Sequence, residues 1–264
     1  MSSTTKATNN GIPIVALAHL NSEEFIVEPD LEAESLSAKT VHVVLDEAFD
    51  PFSAVCAVVL TEDEYDSANR EISTLRGELG QSGYLAGLDS SKKFLDHGFH
   101  ATDDTTEVST RFIDEMFKRL PGKAFIYYTD GQRRRDLSPK KTVLLMYACL
   151  IQVILLNHKR ARRVILHFEH HEELERYYPR LAELATRRTR TSAAVITEAC
   201  PKGEPDALAL ADYVLHIFGH SVAYVVYGHE PSAEYQFRNL LAIKNHVSLI
   251  YSMEWGRMAS RQDH

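Results

Sequence analysis

The 264-residue chain has only three cysteines, Cys56, Cys149 and Cys200, far apart and each in or beside an apolar run. That spacing excludes a disulfide framework and a zinc ribbon, and reads as buried thiols in an intracellular protein. No apolar stretch reaches the roughly 20 residues that a membrane span needs. The most apolar one, Thr142 to Leu156, carries Gln152 and reads as a buried core helix. The segment Met1 to Leu20 holds one Lys and too short an apolar stretch for a secretory signal. Gly-x-Ser-x-Gly is missing, which removes the hydrolase nucleophile elbow, and no Gly-rich loop is there to cradle a nucleotide phosphate. Internal repeats and low-complexity tracts are missing too. The expectation is a soluble cytoplasmic protein with no membrane partner, of a length for one large domain or two small ones.

What is present is ordinary in amount and uneven in placement. Hydrophobic residues make up 44% and charged residues 25%, as in a globular protein. The formal net charge of −8 argues against a protein that coats DNA. Yet Pro121 to Arg190 holds 15 Lys+Arg against 7 Asp+Glu. The cations gather in "QRRRDLSPKK" (Gln132 to Lys141), "HKRARR" (His158 to Arg163) and "RRTR" (Arg187 to Arg190). Such clusters attract phosphate, or sit as solvated helix ends where cations suit the dipole.

The element order follows from periodicity. Residues 1–40 read as an N-terminal extension of mixed acidic and apolar character. Residues 41–264 read as one domain with a C-terminal helical segment. Val41–Leu45 and Ala54–Leu60 are Val-rich strands bounded by turn residues. Thr61 with Glu64 three residues on is a capping box, opening a helix to about Leu79. "KFLDHGFHA" reads as a short strand, "TTEVSTRFIDEMFKRL" as a helix and "KAFIYYT" as a strand. A buried helix covers Ser138–Asn157 with Pro139 in its first turn. After it come the strand "RRVILHFE", a helix bent near Pro179, and the strand "SAAVIT". A helix opened by Pro205 and closed near Gly219, with Asp206 as its cap, and a last helix over Ser232–His246 complete the order. Paired strands followed by alternating helices and strands predict an α/β fold, a mixed central sheet flanked by helices.

Between the first two strands lie Asp46, Glu47 and Asp50. Three carboxylates within five residues repel one another unless water or a cation separates them. The stretch is either a solvated turn or the start of a metal site. Ligands of such sheets gather at the carboxyl ends of strands. Glu169, ending "VILHFE", and Asp212, on the late helix, fall near that edge.

Four short blocks, "VVLDEAFDPFSAVCAVVL", "GFHATDD", "RVILHFE" and "DALALADYVL", resemble in order those of the prokaryotic domain family called DUF3800. The resemblance spans roughly Val41 to Gly219. It implies a ribonuclease H-like fold and a divalent-metal-dependent nuclease, in a phage-defence or mobile-element setting. Asp46 and Glu47 match the leading acidic pair of the family, His100 the His of its Phe-His-Ala block, and Asp212 its helix Asp. Glu169 stands where Asp is more usual. Ala48 and Phe49 replace a Ser-Gly turn, and Ala209 replaces a Gln. The resemblance thus implies Asp46, Glu47, His100, Glu169 and Asp212 as catalytic residues, with Asp46, Glu169 and Asp212 holding Mg²⁺ or Mn²⁺.

Two such ions need three or four carboxylates, because hard cations prefer oxygen ligands and keep several waters. Asp46 and Glu47 alternate across a strand, so only Asp46 is expected as a primary ligand, while Glu47 joins through the turn or holds a neighbouring helix. Asp212, His216 and His220, at i, i+4 and i+8, can equally form a solvated polar stripe. His100 by itself reads as a loop or core histidine; with the resemblance it positions a water or contacts a scissile phosphate. The "HFEHHEE" block lacks the His-Glu-x-x-His spacing of a zinc protease. Nucleic acid would be held by Arg133, Arg134, Arg135, Lys140 and Lys141. A second expectation is an inactive nuclease-like interaction subunit, working through a protein partner: another subunit of a defence complex, or a second copy.

Overall fold

The computed structural model describes residues 39–49, 52–83, 94–119, 122–129, 137–201, 203–227, 239, 242–243, 245–254 and 256–260. Residues 1–38 of the expected extension, Asp50, Arg133, Arg134, Arg135 and most of the expected helix Ser232–His246 lie outside these residues.

Among the described residues, seven strands form one mixed sheet. Strand β1 (Thr40–Ala48) pairs antiparallel with β2 (Ser53–Thr61), from Val41 opposite Thr61 to Ala48 opposite Ala54. Strand β3 (Lys123–Thr129) continues antiparallel on β2. On the other side of β1, β4 (Arg163–Glu169) and then β5 (Ala194–Cys200) add in parallel. Strand β6 (Val247–Ser252) adds parallel to β3, and β7 (Gly256–Ser260) antiparallel to β6, giving the order β5-β4-β1-β2-β3-β6-β7. So β1 is interior, flanked by β4 and β2, as its Val-rich run, buried from Val41 to Leu45, requires.

Among the described residues, five helices cover the two faces. Helix α1 (Glu62–Gly80) starts at the capping box expected of Thr61 and Glu64, with both reciprocal hydrogen bonds made. It shares one face with α2 (Thr106–Arg119) and α5 (Leu208–Tyr227). Helix α3 (Pro139–Asn157) and α4 (Tyr178–Thr189) cover the other. Helix α3 is long and apolar enough to cross a membrane, but 72% of that stretch is buried inside the protein. Thirteen of its residues are buried, eleven of them in the core shared with the sheet and α4. A fully buried Leu, Ile or Val contributes about 1.5–3 kcal/mol, so this layer is a main source of stability.

Four local expectations are corrected. Residues 94–97 form a helical turn, not a strand; Gly98, at φ 74°, closes it by donating to the Phe94 carbonyl. Pro179 lies in the first turn of α4, where its missing N–H costs nothing, and a 3₁₀ turn (Glu175–Tyr177) precedes it. Helix α5 runs past Gly219 to Tyr227, since one interior Gly costs only about 1 kcal/mol against Ala. After it the chain returns as strands β6 and β7, which the helical reading of the C-terminal segment had not placed.

Candidate active site

Strand alternation sorts the acidic pair. Val44 packs with the α1/α2/α5 layer, whereas Val43 and Leu45 pack with the α3/α4 layer. Asp46 therefore faces α5, and Glu47 faces α3. The parallel register sets Leu45 beside Phe168, so one step further Asp46 lies beside Glu169 on the same face. The carboxyl ends of β1 and β4 thus deliver two carboxylates, and α5 delivers Asp212 across them. Asp46, Glu47, Glu169 and Asp212 line one open cleft, together with five histidines: His100, His170, His171, His216 and His220.

Electrostatics confirms the crowding around Asp46. Burial, then the negative charges of Asp212, Glu47 and Glu169, hold its acid well above the usual carboxylate range. Burial also pushes Glu47 up to about 7, opposed by the Tyr147 hydroxyl that donates to its Oε2 at 2.5 Å. Glu47 thus anchors α3, the second of the two roles expected for it. These oxygens do not close into a tight triad. Among the described residues, the group whose ligand atoms all lie within 4.8 Å of one another is His167, Glu198 and Cys200. Wider spacing is what like charges adopt without a cation between them.

The His100 block is pinned to α5. The Ala101 N–H donates to Asp212 Oδ2 at 2.8 Å. The His100 N–H donates to Asp104 Oδ2 at 2.9 Å, and the same oxygen accepts from the Tyr213 hydroxyl at 2.5 Å. Burial raises Asp104 to about 6, against both hydrogen bonds. Two glycines allow the approach. A Cβ on Gly203 (φ 78°) would stand 1.9 Å from the His97 carbonyl oxygen, and one on Gly98 would stand 3.4 Å from Gly203 Cα. Asp206 is not the expected helix cap: its carboxylate pairs with Arg76 at 3.0 Å. The Asn69 side chain instead accepts from the Ala207 N–H at 2.9 Å.

The polar stripe of α5 lines the cleft, with Asp212 and His216 half-buried and His220 exposed. His216 and His220 bring their Nε2 atoms to 3.2 Å. Burial, helped by His220 and His100, lowers His216 to about 4, so it is neutral at pH 7. His170 pairs with Glu175 at 2.7 Å, and His171 Nδ1 accepts from the Glu173 N–H. The sequence reading missed Asp104, Tyr213 and His216 as site residues. The i, i+4 spacing from Asp212 was the available signal for His216.

The basic clusters divide. Lys159 to Arg163 lead into β4 and Arg187 to Arg190 precede β5, so both sit at the amino ends of these strands. A seven-residue strand separates that end from Glu169, about 20 Å. The segment with Arg133 to Arg135 lies between the carboxyl end of β3 and the start of α3, both at the carboxylate end of the sheet. Lys140 Nζ is taken up by Glu173 at 3.1 Å, while Lys141 is exposed.

The donor set suits a hard divalent cation, being half-buried carboxylates whose mutual repulsion a cation would relieve. No known protein-family model matches this chain, and no curated protein matches it either.

Proposed function

We propose that this protein is a divalent-metal-dependent nuclease on a ribonuclease H-like core, hydrolysing phosphodiester bonds in the cleft between β1, β4 and α5. The observation that carries the reading is the meeting of Asp46, Glu169 and Asp212. They are far apart in sequence, line one cleft, and raise one another's cost of ionisation at Asp46. Crowding of this kind is unfavourable unless a cation uses it. The DUF3800 resemblance implies the same residues and a phage-defence or mobile-element setting.

Asp46, Glu169 and Asp212 would hold Mg²⁺ or Mn²⁺, which supplies Lewis acidity at the phosphoryl oxygens and a water of lowered pKa. Ala101 N–H occupies one oxygen of Asp212 and so fixes how the carboxylate is turned. Neutral His216, in the same cleft with His220 Nε2 at 3.2 Å beside it, can accept a hydrogen bond from an attacking water and so orient it. Glu47 holds α3 in place through Tyr147.

The test is cleavage of end-labelled single- and double-stranded DNA and RNA with Mn²⁺ or Mg²⁺. Wild type should cleave at least one of them, and Asp46→Asn should lose on the order of 10²-fold or more in rate. Cleavage that survives Asp46→Asn would overturn the assignment. No cleavage of any substrate would favour the inactive interaction subunit.

A further inference from the structure

A second group of side chains adjoins the carboxylates on the same face of the sheet, running from β4 onto β5. Residues paired across β4 and β5 share a face, and the register sets His167 beside Glu198 and Glu169 beside Cys200. His167 Nδ1 stands 3.0 Å from Glu198 Oε2 and 4.0 Å from Cys200 Sγ. The three ligand atoms all lie within 4.8 Å of one another. Tetrahedral zinc with bonds of about 2.0–2.3 Å separates nitrogen, oxygen and sulfur ligands by about 3.3–3.6 Å. The observed separations bracket that value, so small side-chain rotations suffice.

The surroundings match a metal-bound imidazole. The other nitrogen of His167, Nε2, meets His42 Nδ1 at 3.0 Å. Tyr65 stacks on His42 at 4.0 Å, which holds that ring flat against the pair. A ligating histidine usually has its second nitrogen tied in this way, fixing tautomer and orientation. His167 and Cys200 are both buried, while the Glu198 side chain is 49% exposed. Ions would enter from the Glu198 side.

We infer that His167, Glu198 and Cys200 form a zinc site, with His42 as the positioning residue behind His167 and water in the fourth position. Thiolate and imidazole select a borderline-soft ion and reject Mg²⁺, so this site differs in chemistry from the carboxylate cleft. It ties the edge strand β5 to β4 at the point where the chain leaves for Gly203 and α5. The zinc therefore holds the support of Asp212 without touching the reacting atoms. This site does not depend on the nuclease reading.

The test uses the full chain, stripped with a chelator and titrated with Co²⁺ as a spectroscopic stand-in for zinc. One equivalent should give a thiolate-to-cobalt charge-transfer band and the visible absorption of a four-coordinate ion. Cys200→Ser should abolish the band with circular dichroism unchanged. His42→Gln should weaken affinity about 10–100-fold, as loss of an outer partner does. Glu198→Gln, at an exposed position that does not threaten folding, should also weaken it. Asp46→Asn should leave the band intact, which separates this site from the cleft. No band at one equivalent would overturn the inference, leaving a metal-free His167–Glu198 hydrogen bond. So would a band that survives Cys200→Ser, or one that vanishes with Asp46→Asn.

Discussion

Asp46 and Glu47 are neighbours in the chain and serve opposite faces of the sheet. Asp46 points at α5 among Glu169 and Asp212, and Glu47 accepts from the Tyr147 hydroxyl of α3 at 2.5 Å. One β-strand end thereby both supplies the cleft and fastens the helix behind it.

That fastening can be measured. Tyr147→Phe keeps the ring and removes the donor, leaving a carboxyl oxygen of Glu47 buried without it. The cost should be about 1–3 kcal/mol. For a chain of this size that is a fall in Tm of roughly 2–4 °C per kcal/mol, read by calorimetry. Glu47 should also titrate above its present value of about 7, because the lost hydrogen bond favoured the ionised form. An unchanged Tm would mean that the contact contributes nothing to the fold.

The pH dependence of stability has a defined sign. Asp46 and Glu47 titrate above their ordinary values in the fold, so between about pH 4 and pH 7 the native state binds more protons than the unfolded chain. Their joint contribution therefore falls as pH rises through that window. His167 and His216, lowered to about 4, act with the opposite sign: their contribution is present above about 6.5 and is lost as pH falls. The difference between wild type and Asp46→Asn isolates the first effect. With chelator present, Asp46→Asn should be the more stable protein at pH 8, and the gap should close toward pH 4. A wild type that gains on the variant as pH rises would contradict the buried-charge account.

Much of this architecture was legible from local signals. The capping box at Thr61, the Val run of β1 and the apolar stretch of α3 each act over a few residues, and each forms as expected. Asp46, Glu169 and Asp212 were legible because strand ends and a helix face carry them to one edge. What was not legible depends on pairings distant in sequence. His42 reaches His167 only through the β1–β4 register, and His167 reaches Glu198 and Cys200 only through β4–β5. Strand β6 is six residues long and gains its place by pairing with β3, which no local pattern announces. The helix of residues 94–97 is set by Gly98 and its contact with Gly203.

Gly203 offers a third test. At φ 78° with the His97 carbonyl in the way, Gly203→Ala should destabilise by about 1–3 kcal/mol or more. The damage should centre on the loop pairing of Ala101 with Asp212, seen as faster amide exchange at Ala101. Equal stability and exchange would show that the two loops need no such closeness.

The basic clusters separate by location. Reversing Arg133, Arg134 and Arg135 to Glu should weaken nucleic-acid binding and flatten its salt dependence, since each lost phosphate contact removes counterion release. Reversing Lys159 and Arg160, at the far end of the sheet, should change neither. Fluorescence anisotropy at several salt concentrations reads both. Equal losses from the two variants would mean that nucleic acid does not follow the carboxylate end.

The most direct measurement is Mn²⁺ binding followed by electron paramagnetic resonance in wild type, Asp46→Asn, Glu169→Gln and Asp212→Asn. If the three carboxylates form one centre, wild type binds Mn²⁺ saturably, each variant loses that binding, and Cys200→Ser keeps it. Binding that persists in all three carboxamide variants, or none in wild type, would contradict a shared metal centre.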